Sequence, residues 1–143
     1  MRYKLEVAKG TFQLGETQTV TILRTEPDLL EVEAAYGPAG SPPPMHLHPA
    51  QDEHFEVLAG DIRVRLGDEE RIVGDGETIN IARGTAHQLW NAADRPARVR
   101  WETRPALRTE QWFATLDALQ RGEPAPPNLL DEYRDVFRPA TDD

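Results

Sequence analysis

The chain has 143 residues, enough for one domain with its own core and too few for two of ordinary size. It has no cysteine, which excludes disulfides and thiolate ligands. Its 25 Asp and Glu against 16 Lys and Arg leave a net charge of −9, which argues against a surface built for nucleic-acid phosphates and favours a metal or a small neutral or apolar ligand. In chain order, Tyr3, Leu5 and Val7 alternate with charged neighbours and read as an edge strand. The start of the chain shows no apolar leader and no later stretch is long and apolar enough for a span, so neither secretion nor membrane insertion is expected and a cytoplasmic location is. The β-branched run from Thr19 to Thr25 reads as a strand, and Glu26-Pro27-Asp28 turns the chain. Leu30, Val32, Ala34 and Tyr36 alternate with Glu31, Glu33 and Ala35 in a half-buried strand. Three consecutive prolines, Pro42 to Pro44, cannot continue a central strand and predict a stiff loop. From Glu53 the alternation resumes, with Glu53, Phe55 and Val57 on one face and His54 and Glu56 on the other.

Gly60-Asp61 reads as a hairpin turn into Ile62, Val64 and Leu66, and a second turn at 67–69 leads back through Arg71 to Val73. Thr78 to Ile81 is a short strand, His87, Leu89 and Asn91 share a strand face, and Val99, Trp101 and Thr103 alternate in a last strand. Beyond Pro105 the period becomes helical. Trp112, Phe113, Leu116 and Leu119 follow Thr109 as N-cap with Glu110 in the first turn, and Gly122 suits the helix end. Leu129, Leu130, Tyr133, Val136 and Phe137 form a second helical stripe ending at Pro139, and 141–143 read as a frayed tail. Short strands closed by turns, followed by two helices, predict an all-β barrel or double-sheet sandwich whose helices cover one end or an outer face, or make a subunit contact.

Three of the four histidines fall in one stretch, at 46, 48 and 54, and the fourth is His87. His46 and His48 are two apart, so on a strand their imidazoles point to one side. With Glu53 and His87 they make a mixed nitrogen and oxygen donor set suited to one divalent Fe, Mn, Ni, Cu or Zn. The two stretches resemble the paired motifs of the cupin superfamily. The first pattern is Gly, five residues, His-x-His, three or four residues, Glu, six residues, Gly, and it is met by Gly40, His46, His48, Glu53 and Gly60. The second is Gly, five residues, Pro-x-Gly, two residues, His, three residues, Asn, and it is met by Gly76, Gly84, His87 and Asn91, with Ala82 in place of the proline. The resemblance implies a double-stranded β-helix, or jelly-roll barrel, over residues 1–104, with motifs at 40–60 and 76–91. The helical extension at 105–143 would pack on it without forming a separate domain. It implies His46, His48, His87 and Glu53 as metal ligands, with Glu53 either bound to the metal or serving as a catalytic base, and a homodimer as the common assembly.

Strand parity turns His54 to solvent. Asn91 reads as a structural residue, and Gly60, Gly76 and Gly84 as turn formers of unusual φ. Phe55, Ile62, Val64, Leu89, Val99 and Trp101 either line a pocket above the metal or fill the barrel, the second being the default. Trp112 and Phe113 read as packing residues. The functional expectation is a metal-dependent small-molecule dioxygenase of the quercetinase-like type. Its alternatives are a non-redox isomerase or polyketide-type cyclase, and a non-enzymatic ligand-binding protein. No helix-turn-helix or basic stretch points to nucleic acid.

Overall fold

The computed structural model describes residues 10–140, so the alternation at residues 3–7 and the tail at 141–143 lie outside the described residues. In chain order the strands are β1 (Thr11–Gln13), β2 (Gln18–Glu26), β3 (Leu29–Tyr36), β4 (His46–Leu47), β5 (Asp52–Ala59), β6 (Ile62–Leu66), β7 (Glu69–Val73), β8 (Thr78–Ile81), β9 (His87–Trp90) and β10 (Ala97–Arg104). Two helices follow, α1 (Thr109–Gln120) and α2 (Leu129–Glu132), and the strand β11 (Arg138–Pro139). One sheet has the order β1-β2-β3-β10-β5-β8 and the other β11-β4-β9-β6-β7, with antiparallel pairing in both. This is an all-β double-stranded β-helix.

The alternation read from the residues explains the layers. Leu30, Val32, Ala34 and Tyr36 of β3, with Phe55 and Val57 of β5, bury one face of the first sheet, and Ile62, Val64 and Leu89 bury one face of the second. All belong to one apolar cluster between the sheets. The opposite face of the first sheet is polar. There Arg100 pairs with Glu31 and Glu102 at 2.9 Å and with Glu56 at 3.2 Å.

Three local expectations are corrected. Gly60-Asp61 is not a hairpin, because β5 lies in the first sheet and β6 in the second. Both strands must turn their apolar rows to one core from opposite sides, and β10, paired along β5, occupies the edge that a hairpin would need. Gly60 makes this crossing at φ +95°. A Cβ there would stand 2.8 Å from Ala97 Cβ and 2.9 Å from the Pro96 carbonyl oxygen. Gly60→Ala is therefore expected to destabilise the fold by about 3 kcal/mol, from backbone strain and overpacking together, a loss read directly from a denaturant midpoint.

Thr109 does not cap α1. It is the first helical residue, with Arg108 at the cap position and no side-chain cap bond. Its hydroxyl is turned inward and accepts a hydrogen bond from Gln51 Nε2 at 2.8 Å. The same amide also donates to the carbonyls of Pro105 and Ala106 at 2.9 and 3.0 Å, tying the start of α1 to the start of β5. The end of α1 is as expected, at Gly122 with φ +90°.

The second helical stripe is also not a helix throughout. Only residues 129–132 are helical. A tight turn follows, in which the Val136 and Phe137 amides both donate to the Tyr133 carbonyl. Arg138 and Pro139 then pair with Leu47 and His46. A single helical turn followed by a buried turn puts apolar residues at spacings that mimic a longer helix, and Pro139 is tolerated because β11 is an edge strand.

Candidate metal centre

Adjacent strands bring two histidines together: His46 of β4 is in register with His87 of β9. His48 lies two residues beyond His46, and the three imidazole ring centres are 4.5 to 5.1 Å apart. One nitrogen from each ring lies within 4.8 Å of the others. Glu53 reaches the same point from β5 in the facing sheet. Its Oε1 lies 3.4 Å from His48 Nε2 and 3.3 Å from His87 Nε2.

The chain itself sets the tautomers. His46 Nδ1 lies 2.8 Å from the Pro44 carbonyl, His87 Nδ1 2.9 Å from that of Thr85, and His48 Nδ1 2.7 Å from that of Val136. A carbonyl only accepts, so each Nδ1 carries the proton and each Nε2 presents a lone pair to the centre. The stiff proline loop thus has a defined part: the Pro44 carbonyl orients His46, and the Pro43 carbonyl accepts from Gln88 Nε2 at 2.7 Å. The turn before His87 carries Ala82, yet it is pinned by the Gly84 amide donating to the His48 carbonyl at 2.9 Å.

Glu53 is 3 % exposed. Its Oε2 accepts from Trp101 Nε1 at 2.9 Å, while Oε1 is buried with no hydrogen-bond partner. Burial pushes its carboxyl up, but the nearby His48 and His87 outweigh that and hold it below its ordinary value. Burial, reinforced by His87, pulls His46 down to about 4, so this imidazole is neutral at physiological pH. Burial acts the same way on His87, but the adjacent Glu53 carboxylate outweighs it and the imidazole is raised. Three Nε2 atoms and an unpartnered carboxylate oxygen facing one point repel one another unless a proton or a metal ion lies between them. Donors about 2.1 Å from an ion stand roughly 3.0 to 3.4 Å apart in octahedral or tetrahedral arrangements, which matches the Glu53 separations. The residues present fit a divalent ion.

The centre forms one wall of a cavity of about 350 Å³. Phe55, Leu89 and Trp101 line it, whereas Ile62, Val64 and Val99 belong to the filled core. Tyr36 and Gln51 also reach it, together with Trp112, Phe113, Leu116 and Phe137 from the C-terminal segment. Trp112 and Phe113 therefore pack and line the cavity at once. Burial, with Glu53 second, raises the Tyr36 hydroxyl pKa and keeps it protonated. Gln51 was legible in principle, because it shares strand parity with Glu53. Nothing local marks the Val136 carbonyl or Phe137. His54 faces outward and bonds Asn80 Oδ1 at 2.6 Å, away from the centre. Asn91 is structural: its amide donates to the carbonyls of Gly37 and Arg95 at 3.1 and 2.8 Å.

A family model described as "Cupin domain" matches residues 32–101. Among curated proteins, the chain is 31% identical over 90 residues to a quercetin 2,3-dioxygenase of Bacillus subtilis, covering 61% of this chain and 27% of the dioxygenase. It is 29% identical over 85 residues to the tetracenomycin polyketide synthase protein TcmJ of Streptomyces glaucescens, covering 59% of this chain and 57% of TcmJ. The match thus spans less than two thirds of either relative. Among solved structures, KdgF from Halomonas sp. superposes with a TM-score of 0.61 at 21% identity, covering 69% of this chain and 90% of KdgF, a likeness of fold.

Proposed function

We propose that the chain is a cupin, as the Cupin domain model matching residues 32–101 and the double-stranded β-helix support, and that it is a metal-dependent enzyme acting on an apolar small molecule, a dioxygenase of the quercetinase-like type. The observation that carries the reading is the convergence of three oriented Nε2 lone pairs and the unpartnered Glu53 Oε1 on the wall of an apolar cavity. His46, His48 and His87 through Nε2, and Glu53 through Oε1, would hold one divalent Fe, Mn, Ni or Cu. When bound, the ion supplies a redox-capable Lewis acid with positions left for substrate.

The chain's own residues do the rest. Trp101 holds Oε2 and so aims Oε1 at the centre, where Glu53 also stands ready to accept a proton from an acidic substrate hydroxyl. Among the described residues no Lys or Arg lines the cavity, so a substrate with several negative charges would meet no counter-charge there. The aromatic and aliphatic walls instead suit a ring compound with one ionisable enol or phenol, and they keep water from the reacting atoms.

The test is dioxygen uptake by protein reconstituted separately with Fe, Mn, Ni and Cu, offered flavonol, catechol and enol substrates. Uptake that depends on both metal and substrate is expected; none with any combination would overturn the dioxygenase reading. The similarity to TcmJ, a polyketide synthase protein, over 59% of the chain supports a second reading in which the substrate is a polyketide, and there the metal would serve a cyclase or isomerase without redox chemistry. It would turn over anaerobically with Zn. A ligand bound saturably and recovered unchanged under every condition would leave a binding protein.

A further inference from the structure

The strand that carries His46, and ends one residue before His48, is held weakly by the barrel. β4 is two residues long and meets β9 through one registered pair, His46 with His87. Its other edge is paired by the end of the chain: Arg138 with Leu47, Pro139 with His46, and the Ala140 amide donating to the Met45 carbonyl at 2.9 Å.

The three imidazoles are also oriented differently. His46 and His87 each donate to a carbonyl two residues earlier, so their tautomers are set within their own loops. His48 donates to Val136, 88 residues away. The next residue, Phe137, lies nearly parallel on the His46 ring, 4.9 Å between centres and 21° between planes, and meets the His48 ring edge-on at 6.4 Å. Trp112 backs Phe137 at 4.9 Å.

This segment is anchored from outside the cavity. The Arg108 guanidinium pairs with Asp135 at 2.7 Å, donates to the Glu132 carbonyl and lies 4.8 Å over the Tyr133 ring. Val136 and Tyr133 are buried in the main cluster.

We propose that residues 133–140 are a positioning element of the metal centre. They hold His48 in its Nδ1–H tautomer and clamp β4 and the His46 ring, so divalent-metal affinity depends on a segment outside both histidine motifs and outside residues 32–101. The inference rests on the metal reading above. A histidine ligand loses rotational and tautomeric freedom only if its second nitrogen has a fixed partner, and such partners change metal affinity by about ten- to a hundred-fold. For His48 that partner is supplied by tertiary structure alone, and it moves with Phe137 and with the Arg108 anchor.

The test compares the full chain with Phe137→Ala, Phe137→Tyr and Arg108→Ala. Affinity is read by titration with Ni²⁺ and Co²⁺ against a chelator. Tautomers are read in the metal-free proteins by long-range ¹H–¹⁵N spectra of the imidazoles. Phe137→Ala is expected to weaken metal binding by about ten-fold or more, while Phe137→Tyr, which keeps the stacked ring, stays close to the native value. Arg108→Ala touches no cavity residue, and it is expected to turn His48 into a tautomer mixture while His46 and His87 remain Nδ1–H. If both Phe137→Ala and Arg108→Ala bind within about two-fold of the native chain and His48 keeps its tautomer, the proposal fails. If Phe137→Ala does not fold, Arg108→Ala, with its exposed side chain, decides. If the native chain binds no metal, the metal reading fails, and the His48 tautomer still decides whether the segment orients this ring.

Discussion

Replacing His46 and His87 together by alanine is expected to abolish stoichiometric binding of Fe, Mn, Ni or Cu, the largest single effect open to a substitution in this protein. The two residues face each other across the β4–β9 pair, and each offers an Nε2 lone pair fixed by a local carbonyl. Without them, His48 and Glu53 remain, and two donors do not hold a divalent ion against water and buffer. The fold should survive. Both imidazoles lie at a cavity wall, and although His87 is 2 % exposed, its loss leaves a void and an unpaired Thr85 carbonyl, costing about 1 to 3 kcal/mol. Elemental analysis of reconstituted native and doubly substituted protein measures this directly. Metal retained in equal amount by the double variant would mean that the ion binds elsewhere. Stoichiometric Fe, Mn, Ni or Cu in the native protein supports oxygen chemistry, and retention of Zn alone would move the weight to the cyclase or isomerase reading.

Glu53→Gln should cost the metal-loaded protein far more stability than the metal-free one. In the metal-free centre a buried carboxylate lies 3.3 to 3.4 Å from two imidazoles with no donor on Oε1. Glutamine keeps the hydrogen bond from Trp101 through its carbonyl and directs an N–H at the His48 or His87 lone pair. The orphaned atom is then satisfied, but the attraction to the imidazoles that holds the Glu53 carboxyl below its ordinary value is lost, so the metal-free protein should melt near or slightly below the native temperature. For the ion, the same N–H replaces a negative donor with a positive hydrogen. Affinity should fall by about ten-fold or more, and the rise in melting temperature on adding Ni²⁺ should shrink accordingly. An undiminished rise would remove Glu53 from the ligand set. If turnover were nevertheless lost in that case, Glu53 would be left as a proton acceptor only.

Several features of this architecture were local enough to be read from residues. Alternation in Leu30 to Tyr36 and in Glu53 to Val57 reports which face is buried, because the strand period is two whatever the partner. The same parity placed Glu53 inside and His54 outside. The glycines at 60, 76 and 84 do have positive φ, at +95°, +79° and +79°, since a sharp reversal demands what only glycine adopts without strain. The spacing marked His46, His48 and His87, one nitrogen of each lying within 4.8 Å of the others, and Glu53, whose Oε1 lies 3.3 to 3.4 Å from two of them.

What the residues could not disclose is who pairs with whom. A turn signal at Gly60-Asp61 is the same for a hairpin and for a crossing between sheets, and only the insertion of β10 beside β5 decides between them. Thr109 had the composition of an N-cap, but its hydroxyl was claimed by Gln51, 58 residues earlier in the chain. The apolar spacing from Leu129 to Phe137 fits a helix as well as a helical turn followed by a buried turn and a strand. Its outcome was set by pairing with β4 and by the Val136 carbonyl reaching His48. Local pattern carries burial and chain reversal, because both depend on neighbouring residues. Partner choice depends on contacts between residues far apart in sequence, so the barrel and its four convergent side chains belong to the sequence, while the segment that closes and orients the centre belongs to the tertiary structure.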